Sequence, residues 1–206
     1  VLREQLGQAV APPPRPRPRP ATRAMPNNAC RHRRRPLPPP PGQATRPTHD
    51  RAREALFSIL SHGEPPLVGA RFLDLFAGSG AVGLEAASRG AAAVMLVELD
   101  PDALATATAN RDTLGEQRTV AVMRADACRL GRAAQPFDVA FLDPPYGQGL
   151  HVAALEGLLA GGWLAPGARV VCEVGPGETV APPPGLVVED ERRYGKSRFV
   201  LLRRSS

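Results

Sequence analysis

Between residues 71 and 174 the sequence alternates short apolar runs with longer segments of helical pattern. The segments between the runs predict helices over about Gly80–Arg89, Pro101–Leu114 and His151–Ala160. Strands that alternate with helices form parallel sheets with helices packed on their faces, so the alternation predicts an α/β fold. The predicted strands are Arg71–Phe76, Ala93–Val97, Thr119–Arg124, Phe137–Leu142 and Arg169–Val174.

A further pattern lies on each side of this alternating region. Upstream, apolar residues recur at helical spacing from Ala52 to Leu60 and predict an amphipathic helix, with Thr48 or Asp50 as its expected N-cap. Downstream, Leu186–Arg193 and Ser197–Leu202 flank the turn Tyr194-Gly195-Lys196 and predict a hairpin. The hairpin would complete a mostly parallel, seven-stranded sheet with an antiparallel carboxyl-terminal pair.

The amino-terminal residues differ from the rest in composition. Residues 1–44 contain 12 of the 24 prolines, which exclude helix interiors and central strands. Residues 1–51 hold 11 arginines and two acids, whereas residues 52–206 hold 15 basic and 18 acidic residues. We therefore predict a largely disordered basic arm over residues 1–44, followed by one folded domain over residues 45–206. Dense positive charge favours nucleic acid as a partner, with residues 31–44 in contact with RNA.

The cysteines and the apolar runs exclude several classes of protein. Cys30, Cys128 and Cys172 are far apart, which argues against a disulfide framework and against a zinc site. This pattern fits a reducing cytoplasm, and we expect no metal. No run of eighteen apolar residues is present, so the sequence predicts no transmembrane helix.

The segment Asp74–Gly83 joins the first predicted strand to its helix and is rich in glycine. Gly78 and Gly80 let the backbone turn tightly and approach a ligand. Glu98 follows Gly78 by twenty residues, so a nicotinamide site and an S-adenosyl-L-methionine site both fit the spacing. Asp74 favours S-adenosyl-L-methionine, because a carboxylate receives the methionine ammonium and repels a pyrophosphate. Glu98 is expected to accept both ribose hydroxyls, and Asp126 to accept the adenine amine.

The tetrapeptide Asp143-Pro144-Pro145-Tyr146 follows the apolar run Phe137–Leu142. An acid, two prolines and an aromatic residue at the carboxyl end of a strand form a rigid cup with hydrogen-bond acceptors beside a flat stacking surface. Such a cup suits a planar group that bears an amine. We therefore predict methyl transfer to an exocyclic base nitrogen, with all four residues as the catalytic set.

Three segments together resemble the RsmD-type 16S rRNA (guanine-N2)-methyltransferases. Arg46–Phe57 is similar to the amino-terminal signature of that family, Phe72–Gly80 to its cofactor loop, and Asp143–Tyr146 to its catalytic motif. The resemblance runs from about Arg31 to Arg204. Asp-Pro-Pro-Tyr alone admits many amino-methyltransferases, and the combination with Arg46–Phe57 is much more specific.

The resemblance implies a Rossmann-like class I S-adenosyl-L-methionine-dependent methyltransferase fold. It adds Thr48 and Phe76 to the expected cofactor site. The implied substrate is a guanine N2 amine in 16S ribosomal RNA within an assembling small subunit, and the implied protein is a cytoplasmic monomer. The residues expected to bind RNA are Arg31, Arg33, Arg34, Arg35 and Arg51.

Three other functions stay open from the sequence. A DNA adenine-N6 or cytosine-N4 methyltransferase would explain Asp143 equally well, although one small domain leaves no room for a target-recognition domain. A nicotinamide-dependent oxidoreductase fits the glycine loop but not Asp74. A ribosome-assembly factor that binds RNA without catalysis would not need Asp143.

Overall fold

The computed structural model describes residues 47–195 and 197–205, with side chains from Arg51 onward. The predicted basic arm over residues 1–44 lies outside these ranges. No helix within the described ranges is long and apolar enough to cross a membrane. The described helices are α1 Pro47–Ser61, α2 Ala81–Ser88, α3 Pro101–Leu114 and α4 Leu150–Ala160. The described strands are β1 Arg71–Leu75, β2 Ala93–Glu98, β3 Val120–Arg124, β4 Phe137–Leu142, β5 Leu164–Val174, β6 Leu186–Tyr194 and β7 Ser197–Arg204.

The seven described strands form one sheet in the order β3-β2-β1-β4-β5-β7-β6. Strands β1 to β5 run parallel, and β7 is antiparallel to both of its neighbours. The predicted mostly parallel sheet with a carboxyl-terminal antiparallel hairpin is therefore confirmed. The chain reverses direction across the sheet between β1 and β4, and in open α/β sheets ligands bind at such a switch point.

Helices cover both faces of the sheet. Phe57 and Leu60 of α1 pack with α2 and α3 against one face. Leu155 and Leu158 of α4 pack with Trp163 against the other. Burial on both faces explains why the central strands are almost entirely apolar rather than alternating.

Several strand ends differ from the prediction for identifiable reasons. β1 ends at Leu75, because Phe76 leaves the strand with a φ of 60°. β5 begins at Leu164 rather than Arg169, since Leu164 pairs with Phe137 ahead of a register shift. That shift accommodates Pro166 and Gly167, which normally interrupt a strand. The other differences are smaller: β2 extends through Glu98, β3 starts at Val120, and the hairpin strands extend to Tyr194 and Arg204.

The helix starts follow local capping chemistry. The bounds predicted for α3 are confirmed, because Asp100 accepts hydrogen bonds from the backbone of Asp102 and Ala103. α2 begins one residue later than predicted, with Gly80 as its N-cap, and α4 begins one residue earlier. The N-cap prediction for Thr48 and Asp50 is wrong, since the chain is already helical at Pro47. Proline is favoured in the first turn of a helix, which places the cap before Pro47 and outside the described residues.

Substitution of Trp163 tests whether the core beneath α4 is as tightly packed as its contacts indicate. Its ring stacks on Phe137 with centroids 5.9 Å apart, and its Nε1 donates to the Gly131 carbonyl oxygen over 2.7 Å. Trp163→Ala should lower the free energy of unfolding in urea by about 3–5 kcal/mol. Trp163→Phe, which keeps the stacking but loses the hydrogen bond, should lower it by about 1–2 kcal/mol. An alanine variant within about 1 kcal/mol of the parent would contradict a core role.

Candidate functional site

Parallel strand register brings the predicted acidic residues to one edge of the sheet. Asp74 of β1 lies opposite Leu96 of β2 and Phe141 of β4. Glu98 and Asp143 each follow one of those partners by two residues. Because side chains alternate along a strand, all three acids belong to the face covered by α1, α2 and α3. The structure therefore places Asp74, Glu98 and Asp143 together at the carboxyl end of the sheet.

The loop between β1 and α2 turns sharply through three left-handed residues. Phe76, Gly78 and Gly80 have φ values of 60°, 55° and 77°. This region is open to glycine but strained for a side chain such as that of Phe76, and such strain concentrates at functional sites. A Cβ at Gly78 would meet no described atom within 4 Å, whereas a Cβ at Gly80 would lie 2.8 Å from Leu96 Cδ1. Gly78 thus faces the open crevice, and Gly80 is a packing position.

Two carboxylates hold this loop by its backbone. Glu98 Oε2 accepts a hydrogen bond from the Gly78 N–H over 2.7 Å. Asp74 Oδ2 accepts one from the Gly83 N–H over 2.8 Å. The acids of two neighbouring strands therefore fix both ends of the turn that starts α2.

Asp74 is buried to 2% exposure. Burial raises the pKa of its carboxyl from 3.8 to about 7, the Gly83 hydrogen bond lowers it, and the charge of Glu98 raises it. A cation placed against Asp74 would favour the ionised form. The role in binding the methionine ammonium that the sequence predicts for Asp74 stays a prediction.

Glu98 has less free acceptor capacity than the sequence implied. Its Oε1 accepts from the backbone N–H groups of Leu99 and Asp100, in addition to the Gly78 bond on Oε2. A carboxylate offers about four lone-pair positions, so three of them are already used. One ribose hydroxyl fits the remaining position on Oε2. Accepting both hydroxyls requires one backbone bond to be released.

Asp126 lies in the turn that follows β3. Its Oδ1 accepts from the Cys128 N–H over 2.9 Å, and its Oδ2 lies 3.8 Å from Arg129 Nε. The first contact is a local turn bond, while the second is a weak, exposed ion pair. Asp126 therefore shapes its turn and keeps Oδ2 available to an amine.

The predicted cup follows β4 directly. Asp143 is largely buried and Pro144 is buried, whereas Pro145 is exposed and Tyr146 retains 53% of its surface. Burial raises the pKa of the Asp143 carboxyl well above its usual value, and the charges of Glu173 and Asp74 raise it further. The cup thus combines a desolvated carboxyl with an accessible aromatic face.

Sequence reasoning missed two acids that surround Tyr146. Glu173 of β5 accepts from the Tyr146 hydroxyl over 3.5 Å. Glu178 joins two loops, because its Oε1 accepts from the Gly147 N–H and its Oε2 from the Gly175 N–H, the latter over 2.8 Å. A Cβ at Gly175 would lie 3.1 Å from the Tyr146 ring, so a larger residue would require the ring to shift by a few tenths of an ångström. The sequence signal that could have identified Glu173 was an acid at the carboxyl end of an apolar strand.

The remaining predicted residues are not brought to the site by the described structure. Thr48 lies in α1, but its side chain is outside the described set, as are Arg31, Arg33, Arg34 and Arg35. Arg51 is exposed on α1. The neighbouring Arg53 lies 3.7 Å from Glu85. His151 is buried, with its Nε2 2.8 Å from the Glu173 carbonyl oxygen.

Comparison with known proteins identifies close relatives. The family model described as Conserved hypothetical protein 95 matches residues 29–203. The ribosomal RNA small subunit methyltransferase D of Escherichia coli strain K12 is 40% identical over 141 residues, which are 68% of this chain and 70% of that protein.

Solved structures share the architecture. The yhhF protein of Escherichia coli superposes with a TM-score of 0.70 at 35% identity, over 82% of this chain and 91% of that chain. The HI0767 protein of Haemophilus influenzae gives a TM-score of 0.66 at 32% identity, over 78% of this chain and 100% of that chain. The predicted class I methyltransferase fold and the predicted cofactor, S-adenosyl-L-methionine, are confirmed.

Gly78 and Gly80 provide a matched pair of variants for the loop. Gly80→Ala should lower the free energy of unfolding by about 2–4 kcal/mol, because the new methyl group meets Leu96 at a left-handed position. Gly78→Ala should cost about 1 kcal/mol of stability but should weaken S-adenosylhomocysteine binding, since its methyl group enters the crevice. Urea unfolding and ligand thermal shifts measure the two effects. Equal losses of stability in both variants would contradict the assignment.

The raised pKa of Asp74 makes stability depend on pH. The folded-state pKa of about 7 exceeds the unfolded value of 3.8. The stabilising contribution of protonated Asp74 to the free energy of unfolding is therefore fully present below about pH 3.8. It is lost as the pH rises through about 7. Between about pH 5 and about pH 8 the parent protein should lose about 2–3 kcal/mol more unfolding free energy than Asp74→Asn. Parallel urea titrations of the two proteins give this difference, and identical pH slopes would refute it.

Proposed function

The chain belongs to the family of RsmD-type methyltransferases that the Conserved hypothetical protein 95 model describes, and we propose that it methylates the N2 amine of a guanine in 16S ribosomal RNA. The observation that carries the proposal is the Asp143 cup at the switch point of the sheet, beside an acid-lined crevice. The choice of small-subunit ribosomal RNA as the substrate is supported by the name of the Escherichia coli relative. The choice of guanine N2 as the methylated atom is supported by the family resemblance and by the chemistry of the cup.

The charge of the crevice supports the choice of cofactor. S-adenosyl-L-methionine supplies a methyl group on a positively charged sulfur. We expect Asp74 to bind its ammonium group, Glu98 a ribose hydroxyl and Asp126 the adenine amine. The open Cβ position of Gly78 leaves room for the ligand to approach the backbone. The same acids would repel the pyrophosphate of a nicotinamide dinucleotide, which disfavours the oxidoreductase alternative.

Asp143 and Pro144 orient the nitrogen that accepts the methyl group. The lone pair of guanine N2 is delocalised into the ring, which makes this amine a weak nucleophile. The Asp143 carboxylate and the Pro144 carbonyl each accept one N–H, so that the lone pair is turned out of the ring plane. Orientation of this kind contributes up to about 7–11 kcal/mol in favourable intramolecular reactions. Asp143 also stabilises positive charge that develops on nitrogen.

Tyr146 provides the stacking surface, and 53% of the residue is exposed to solvent. Stacking of a base on an aromatic side chain contributes about 1–3 kcal/mol. A paired guanine would have to leave its stack, or be presented by an open region of RNA. We propose that Arg51 and the arginines at 31 and 33–35 hold the RNA backbone. The protein would then act as a monomer on an assembling small subunit in the cytoplasm.

Two assays separate this function from its alternatives. The protein is incubated with labelled cofactor and either small ribosomal subunits lacking the methyl group or duplex DNA. Label in 16S rRNA supports the proposal, while label in DNA alone would identify a DNA amino-methyltransferase. Thermal stabilisation by S-adenosylhomocysteine but not by NAD is expected, because a ligand stabilises the fold that it binds.

Asp143→Asn tests the proposed catalytic carboxylate. The variant keeps the shape of the side chain but loses its charge, so methyl incorporation should fall by about 10²–10³-fold. Stabilisation by S-adenosylhomocysteine should stay at the parent level. Asp112→Asn, an exposed change on α3, is the matched control. A functional RNA-binding factor without catalysis would tolerate both changes.

A further inference from the structure

Glu173 is a buried carboxylate that neither the fold nor the methyl-transfer geometry uses. It is 8% exposed and stands at the second-last position of β5. Among the described residues its side chain has one hydrogen bond, the 3.5 Å contact from the Tyr146 hydroxyl, and no ion pair with a basic residue. Burying a charge without a partner costs several kcal/mol. Such a residue is expected to gain its partner from a bound molecule.

The register of the sheet places Glu173 beside Asp143. Leu142 of β4 pairs with Cys172 of β5, so the next residues along each strand, Asp143 and Glu173, are neighbours on one face. Adjacent strands are about 4.8 Å apart. A base that stacks on Tyr146 and places its amine at Asp143 can therefore present the adjoining part of its Watson–Crick edge to Glu173.

The chemistry of that edge differs among the bases that carry an exocyclic amine. In adenine and cytosine, the ring nitrogen beside the amine on this edge is a bare acceptor. In guanine, the corresponding nitrogen N1 carries a hydrogen. An ionised carboxylate only accepts hydrogen bonds, so it attracts the guanine edge and repels the other two.

We propose that the Glu173 carboxylate accepts the N1–H of the target guanine and thereby selects guanine over adenine and cytosine. This role rests on the proposed guanine methylation and makes Glu173 a specificity-determining residue. Asp143 and Pro144 hold the amine, Tyr146 holds the ring face, and Glu173 reads the neighbouring ring nitrogen.

The test replaces the methylated guanine, located by mass spectrometry, with 2-aminopurine in small subunits reconstituted from 16S rRNA. This base keeps the N2 amine but has a bare N1. The parent protein should methylate it at least about 10²-fold less efficiently, in kcat/KM, than guanine, since a site built for a donor rejects an analogue that lacks it. Glu173→Gln can donate its amide hydrogen to the bare N1, so the ratio should fall close to one.

Two further variants keep the experiment decisive. Glu173→Met removes both the acceptor and the buried charge. It should therefore fold at least as stably as the parent while it loses the discrimination. Glu156→Gln, an exposed change on α4, should keep the parent ratio. Thermal stabilisation by S-adenosylhomocysteine shows that each variant is folded and binds the cofactor product.

The outcomes separate this role from the proposed function. A parent ratio near one would mean that no group of the protein reads N1–H, and it would overturn the role of Glu173. Variants that retain a large parent ratio would also overturn it and would leave N1–H to the second oxygen of Asp143. Equal losses on both bases in Glu173→Gln and Glu173→Met would likewise reduce Glu173 to a structural residue. Failure of the parent to methylate any guanine N2 in unsubstituted subunits would instead refute the proposed function.

Discussion

The capture of a glycine-rich turn by two acids, one buried and one partly exposed, is the interaction on which the site depends. Asp74 and Glu98 accept the N–H groups of Gly83 and Gly78, and so they fix the start of α2 against β1 and β2. Backbone N–H groups at a helix start commonly face a bound anion. Here carboxylates of the protein take that place at the two ends of the turn. The crevice is therefore negative and matches a cationic cofactor.

Buried acids at this edge also destabilise the folded protein when no ligand is bound. Asp74 is 2% exposed and Glu173 is 8% exposed, although neither carboxylate has a basic partner among the residues described. The charge of each contributes to the raised pKa of Asp143 between them. Groups that destabilise the unliganded protein yet bind a ligand are characteristic of functional sites. The acids at the carboxyl edge of the sheet are thus better explained by the ligands than by the fold.

Much of this arrangement was predictable because its signals are local. The bounds of α3 follow from Asp100 as a cap and Gly115 as a stop, both visible in the sequence. Asp74, Glu98 and Asp143 were identifiable because each acid interrupts or ends an apolar run at a strand terminus. The cofactor loop likewise depends on glycines whose left-handed conformations no other residue adopts easily.

Other features depend on pairing that a single sequence does not display. The early start of β5 relies on Leu164 meeting Phe137, despite Pro166 and Gly167 between them and the rest of the strand. In the sequence, Glu173 is one acid within an apolar strand. Only the register between β5 and β4 shows that it lies beside Asp143. The link from Glu178 to two separate loops is likewise a tertiary contact.

Mapping N2-methylguanosine in ribosomal RNA from a deletion strain tests the central claim most directly. Mass spectrometry of 16S rRNA fragments should show one guanine that loses a methyl group in the deletion strain. The parent gene should restore that group, and the gene encoding Asp143→Asn should not. An unchanged set of N2-methylguanosines in the deletion strain, or restoration by the Asp143→Asn gene, would contradict the account.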